Sequence, residues 1–299
     1  MEFHEYRLRS QAVLNPLAPR REFPGALLRA YGGHGCIHPW PELGDASLEE
    51  ELTRLRRGHP GPLGKRALQC CRIDGEARRE GKSLWTGLVV PKSHFTMGSE
   101  TAIPPGFATV KIKGGGDPSL LSERIKSLPA HLGIRIDCNG VLLGVAQFVE
   151  LWTELAPWHQ RIEFVEDPCP FAESVWREIA DLTGCSLALD RWDGVAPDHW
   201  IRVVKPALQG EWRGNGSLVF TSSMDHPVGQ LFAAWCAARE AAVRPERVLA
   251  CGLVTHHLFD PADPFVDALG PPQPVLKPPV GTGLGFDDLL EELPWERVC

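Results

Sequence analysis

Five short apolar or β-branched runs, residues 108–113, 134–137, 162–166, 186–190 and 201–205, each end on an ionisable residue: Lys113, Asp137, Glu166, Asp190 and Lys205. A charge that closes one strand is ordinarily just solvated. Five in succession point to a shared location, because the strand C-termini of a (β/α) barrel converge on one mouth where active sites are built. Three carboxylates meeting there would offer hard oxygen ligands. With no thiolate or imidazole among them, the expected ion is Mg²⁺, with Mn²⁺ able to substitute. Asn139, two residues beyond Asp137, points the same way along its strand and is placed to orient a ligand or a bound water. Lys111 and Lys113 share one strand face, and Lys205 lies across the barrel. An amine is a base only when neutral, and crowding by Lys111, Arg135 and a divalent cation works against the charged form of Lys113. Proton abstraction beside a carboxylate is the chemistry that needs a cation facing such a base.

The elements that must carry these residues are legible at two levels. With runs at 217–220 and 248–251, the strands number seven, several separated by helical stretches, which suggests a parallel α/β array. Residues 1 to about 100 read instead as a small α+β unit. It holds a strand near 25–31, a Gly-rich turn at 32–35, a helix through Leu48, Leu52 and Leu55 capped by Asp45 or Ser47, and a second helix over about 63–79. The Pro- and Gly-rich tail from Pro271 carries a short amphipathic segment, 287–293, and is expected to pack back on that unit.

Lys111-Ile-Lys113, Asp137-Cys-Asn139, Glu166-Asp167-Pro168, Asp190 and Lys205-Pro206 reproduce in order the pattern of the muconate-cycloisomerase-like branch of the enolase superfamily. Within it the chain resembles the o-succinylbenzoate synthases, through the stretch His38 to Asp45, Arg135, Thr221-Ser222-Ser223, Gly252-Leu253-Val254-Thr255 and Gly283-Leu284-Gly285. The resemblance implies a (β/α)7β-type modified TIM barrel over 101–270, and an α+β capping domain from 1–100 and 271–299. It implies Mg²⁺ on Asp137, Glu166 and Asp190, Lys113 as general base, and Lys205 stabilising an enediolate. Ser222 or Ser223 with Gly252 would line the succinyl side, and Lys111, Arg135 and Asn139 would support the substrate or the ligands. The implied reaction is syn dehydration of 2-succinyl-6-hydroxy-2,4-cyclohexadiene-1-carboxylate to 2-succinylbenzoate, a step of menaquinone biosynthesis.

Two departures stand out. Arg191 follows the third proposed ligand, where the family commonly has Glu. Only 15 residues separate Asp190 from Lys205, and 17 separate Lys205 from Ser222, whereas a βαβ crossover typically takes about 30. The helices after the fourth and fifth strands are therefore expected to be lost or shortened. Trp192, Trp200 and Trp212 fall in those gaps, either folding over the bare strands or forming a dimer contact, so the chain is expected to be a monomer or a homodimer.

Other readings are weaker. A net charge of −7 and pI near 5.9 give no basic field for nucleic acid. No apolar run reaches a membrane span, and the N-terminus lacks a signal-peptide pattern, so a cytoplasmic location is expected. Nine cysteines without C-x-x-C spacing suit reduced thiols, several of them in apolar segments (Cys138, Cys185, Cys251). Gly81-Lys82-Ser83 lacks the first glycine of a phosphate loop, and the glycines at 281–285 lack the dinucleotide spacing. Adjacent His256 and His257 make a poor metal pair. His38 and Trp40 are turn residues or part of a loop closing over substrate. Two rivals stay open: an N-acylamino acid racemase or dipeptide epimerase using both lysines, and a barrel kept only as a scaffold.

Overall fold

The computed structural model describes residues 1–98, 102–190, 197–212 and 214–298. Strands β1 (Glu2–Arg9), β2 (Glu22–Ala30) and β3 (Gly33–Ile37) form an antiparallel sheet. The turn between the last two is tighter than expected. Tyr31 (φ 55°) and Gly32 (φ 79°) make it alone, and the next three residues of the Gly-rich segment are already strand. Helix α1 (Leu48–Arg56) starts on Ser47, whose hydroxyl accepts from the Glu50 amide while the Glu50 carboxylate accepts from the Ser47 amide. Asp45 takes another task, accepting from the Trp40 amide at 2.8 Å. Helix α2 (Pro62–Arg79) lies on the sheet at close range, since a Cβ on Gly33 would fall 2.2 Å from the Gly75 nitrogen. Leu28, Ile37, Leu52, Leu63 and Ala67 share the core between them.

The rest of the chain winds a parallel sheet. In order it runs β4 (Phe95–Thr96), β5 (Thr109–Lys113), α3 (Pro118–Ser127), β6 (Gly133–Asp137), α4 (Val145–Glu154), β7 (Ile162–Glu166), α5 (Glu173–Thr183), β8 (Leu187–Leu189), β9 (Ile201–Val204), β10 (Leu218–Phe220) and α6 (Pro227–Val243). The seven strands pair in chain order. Single parallel bridges join Leu218 to Val248, Thr221 to Gly252 and Ser93 to Cys251, so residues 248–252 link the first edge to the last. The strand expected at 248–251 is thus reduced to isolated bridges. Strand β4 was not anticipated, because two residues are too few to show alternation.

Among the described residues no helix follows β8 or β9, as the spacing required. Indoles cover that flank. Trp200, 4% exposed, packs edge-on to Trp176 of α5 and donates to Glu173 Oε2 at 3.0 Å. Trp212 stands edge-on to Phe220 and donates to Glu240 Oε2 at 3.0 Å. Trp192 and Arg191 lie outside the described residues. Short helices α7 (Pro264–Ala268) and α8 (Asp287–Glu291) precede β11 (Glu296–Arg297), which pairs with β1. The tail is anchored further where Arg78 of α2 bridges Asp74 and Asp287 at 2.6 and 2.5 Å. The eight described cysteines are free and buried. No described helix is long and apolar enough to cross a membrane.

Candidate active site

Parallel strands in matched register end together. Lys113 pairs with Asp137 and Asp137 with Glu166 across β5, β6 and β7. Glu166 pairs with Ala188, which sets Asp190 just past the end of β8, and Lys205 stands just past β9. All five residues therefore reach one rim. A cavity of about 560 Å³ opens there, lined on one side by Lys111, Lys113, Asp137, Asn139, Asp190 and Lys205 and on another by Ser222, Ser223 and Gly252.

The side chains form an alternating array of charge. Lys111 Nζ lies 2.7 Å from both Glu166 oxygens and 3.0 Å from Asp137 Oδ2. Lys113 Nζ donates to Asp137 Oδ2 at 2.8 Å and to Asn139 Oδ1 at 2.9 Å. Lys205 is hydrogen-bonded to Asp190 Oδ2. Burial opposes the charge on Lys111, yet Asp137, Glu166 and Asp190 outweigh it and hold the amine above its ordinary range. Burial likewise opposes ionisation of Asp137, and there Lys111 and Lys113 prevail, keeping the carboxyl below the usual range. Glu166 goes the other way, pushed up to about 6 by burial and by the charges of Asp137 and Asp190 despite Lys111. Asp167 also lines the cavity, and burial with the charges of Asp190 and Glu166 raises it.

Four carboxylates thus face three amines at this rim, and burial first, then the neighbouring carboxylate charges, raises two of the four. A hard divalent cation suits that donor set in kind. Among the described residues no three acidic, imidazole or thiol side chains are gathered to hold an ion as they stand. Lys111 bridges Asp137 and Glu166, and Lys205 engages Asp190, so amines supply the compensating charge.

Arg135 departs from the position expected of it. It does not line the cavity or crowd Lys113. It sits two residues down β6 from Asp137, 2% exposed, and its Nε donates to Glu163 Oε2 at 2.7 Å. The sheet register slips between Ile134 and Arg135, which leaves Glu163 as an extra residue able to face it. Gly252 has a steric reason to be glycine, since a Cβ there would lie 2.7 Å from Thr221 Cγ2 and 2.8 Å from the His94 ring. Ser222 Oγ is 2.7 Å from Thr255 Oγ1, and Ser223 Oγ has no hydrogen-bond partner among the described residues. Trp40 lines the cavity from the cap side and donates to the Ser223 carbonyl at 2.9 Å. His38 instead points into the seam below, its Nδ1 2.9 Å from Tyr6 OH. His256 is 3.0 Å from Gln230 Nε2 through Nδ1, and His257 stacks on Phe95.

A family model for the N-terminal domain of O-succinylbenzoate synthase matches residues 1–77. An o-succinylbenzoate synthase of Bdellovibrio bacteriovorus is 32% identical over 331 aligned residues, covering 100% of this chain and 98% of that protein. The chain belongs to the o-succinylbenzoate synthase family. Solved structures share the fold of this family member. An N-succinyl Arg/Lys racemase from Bacillus cereus aligns over 99% of both chains with a TM-score of 0.72 at 14% identity. An o-succinylbenzoate synthase from Thermosynechococcus elongatus, complexed with Mg in its active site, covers 84% of this chain and 91% of its own with a TM-score of 0.55 at 21% identity.

Among the cavity residues, His94 was named by no sequence reading, and Asp167 and Thr255 stood there only inside motifs, with no role of their own. Asp167 carried a signal, since it follows Glu166 directly. At φ 42° its backbone kinks, and its carboxylate accepts from the Asp190 amide at 3.0 Å. His94 precedes a two-residue strand and had no pattern to reveal it.

Proposed function

We propose that this chain is an o-succinylbenzoate synthase acting in menaquinone biosynthesis, dehydrating 2-succinyl-6-hydroxy-2,4-cyclohexadiene-1-carboxylate to 2-succinylbenzoate. The supporting observation is the gathering of Lys113, Asp137, Glu166, Asp190 and Lys205 at one rim, with all but Glu166 lining the cavity there, in a chain aligned end to end with a relative of that name. Asp137, Glu166 and Asp190 would hold Mg²⁺, or Mn²⁺ in its place. When bound, the ion supplies positive charge against the negative charge that builds on the substrate carboxylate as its α-proton leaves.

Lys113 takes that proton through Nζ and returns it to the departing hydroxide, so one amine serves both halves of a syn elimination. Asn139 and Asp137 hold Nζ in place through the two contacts it makes at the rim. Lys205, on the far side of the cavity, offers a fixed charge to the same oxygens. Ser222, Ser223 and Gly252 line the wall left for the succinyl chain, and the capping residue Trp40 limits access of water from above.

The test is an absorbance assay for the aromatic product with purified protein and the cyclohexadiene substrate, run for wild type and Lys113→Ala, with and without chelator. Product formation that needs both Lys113 and the metal is expected. Racemisation of N-succinyl amino acids without aromatic product would decide for the racemase chemistry of the same fold, and inertness toward both would decide for a scaffold.

A further inference from the structure

On the cavity wall between Lys111 and Gly252 stands His94, 1% exposed. Arg135 Nη1 approaches its Nδ1 to 2.9 Å. A guanidinium has no acceptor and does not lose its proton, so Nδ1 must accept. Burial first, then the charges of Arg135 and Lys111, hold this imidazole well below its ordinary range. The ring is therefore neutral near pH 7, with its one proton on Nε2.

Arg135 has little freedom to release it. Its Nε is committed to Glu163, its Nη1 also donates to the Ala250 carbonyl at 2.6 Å, and its plane lies 4.7 Å over the Phe164 ring. Glu163 is held in turn by the Thr109 hydroxyl at 2.7 Å. On the opposite edge of the imidazole, Nε2 faces Gly252 and makes no hydrogen bond among the described residues. The missing side chain at 252 keeps that edge uncovered, and both residues line the cavity.

We infer that His94 is a substrate-binding residue whose Nε2–H donates to an acceptor oxygen of the succinyl chain, and that Arg135 is the positioning residue that fixes the donor tautomer. The identity of the acceptor rests on the proposed function, whereas the tautomer does not. A buried donor that only the right ligand satisfies discriminates against molecules lacking that oxygen. Such a contact is made before and during reaction alike, so its loss acts on KM more than on kcat.

The experiment joins nitrogen NMR with kinetics on the Mg²⁺-loaded protein. With ¹⁵N-histidine label, and His94→Gln used to assign the signals, Nε2 is expected to be protonated and Nδ1 bare. The Nε2–H signal should move when 2-succinylbenzoate is added and stay when benzoate is added. Arg135→Met should mix the tautomers. His94→Ala and His94→Asn should raise KM about tenfold with kcat within about threefold. His94→Gln, whose amide nitrogen reaches near the Nε2 position, should recover most of that loss. A proton on Nδ1, or a KM unchanged in a folded His94→Ala protein, overturns the inference. Should the Arg135 variant fail to fold, the wild-type spectrum and the His94 series still decide. Absence of turnover by the wild type would overturn the proposed reaction and leave the tautomer and the ligand-induced shift to judge His94.

Discussion

Buried carboxylates have different partners at the barrel mouth and at the seam between cap and barrel. At the mouth the Asp137 and Glu166 side chains, 5% and 3% exposed, have a lysine amine within 3.0 Å. In the seam Asp225 is 1% exposed, and neither of its oxygens has a hydrogen-bond partner of ordinary geometry among the described residues. Burial pushes that carboxyl up to about 7, with the backbone amides of Asp225 and Ser223 pulling weakly the other way. Its neighbourhood is polar: Tyr6 OH lies 3.2 Å from Cys36 Sγ, 2.9 Å from His38 Nδ1 and 3.5 Å from the Ile37 carbonyl. A charge removed from water persists only against an opposite charge, and otherwise the group keeps its proton. Burial alone therefore does not mark a functional carboxylate. The amines beside it do.

The contrast can be broken first at the mouth. Lys113→Ala should lower kcat by about 10²–10⁴-fold, the range for a lost general base, while the melting temperature stays near that of wild type. Residual activity within tenfold of wild type would remove Lys113 from the reaction. Lys111→Met should next cost metal-free protein about 3–5 kcal/mol in urea unfolding, because it strips a buried carboxylate pair of its counter-charge. The seam should respond with the opposite sign. Asp225→Asn should gain about 4 kcal/mol at pH 8. The folded pKa of Asp225, about 7, lies above the unfolded value near 3.9. Its favourable contribution is therefore complete below about pH 4 and is lost as pH rises toward 7. The advantage of the variant over wild type should grow across that interval and level off above it. A difference independent of pH would show that Asp225 is ionised in the folded protein.

How much of this was open to a reader of the sequence follows from the range of each interaction. The strand-end residues were legible because register in a parallel sheet carries them to one rim without any detail of packing. The missing helices were legible because chain length sets a limit on what a crossover can contain, and the structure has none after β8 and β9 among the described residues. Arg135 was misplaced because alternation gives the face of a strand and not the layer. Asp137 and Arg135 share a face, yet a register slip at Glu163 draws the guanidinium down and away from the mouth. Asp225 and His94 were invisible for a related reason. Asp225 owes its character to burial, which elements far apart in the chain supply together, and His94 owes its own to Arg135 and Gly252.

Isothermal titration of the wild type and of Asp190→Asn with Mg²⁺ tests most directly the claim that these strand ends form one cation site. One ion should bind per chain in the wild type, with affinity at least tenfold weaker in the variant, the minimum expected on losing one carboxylate ligand. Equal binding by both proteins, or no binding by the wild type, would contradict it.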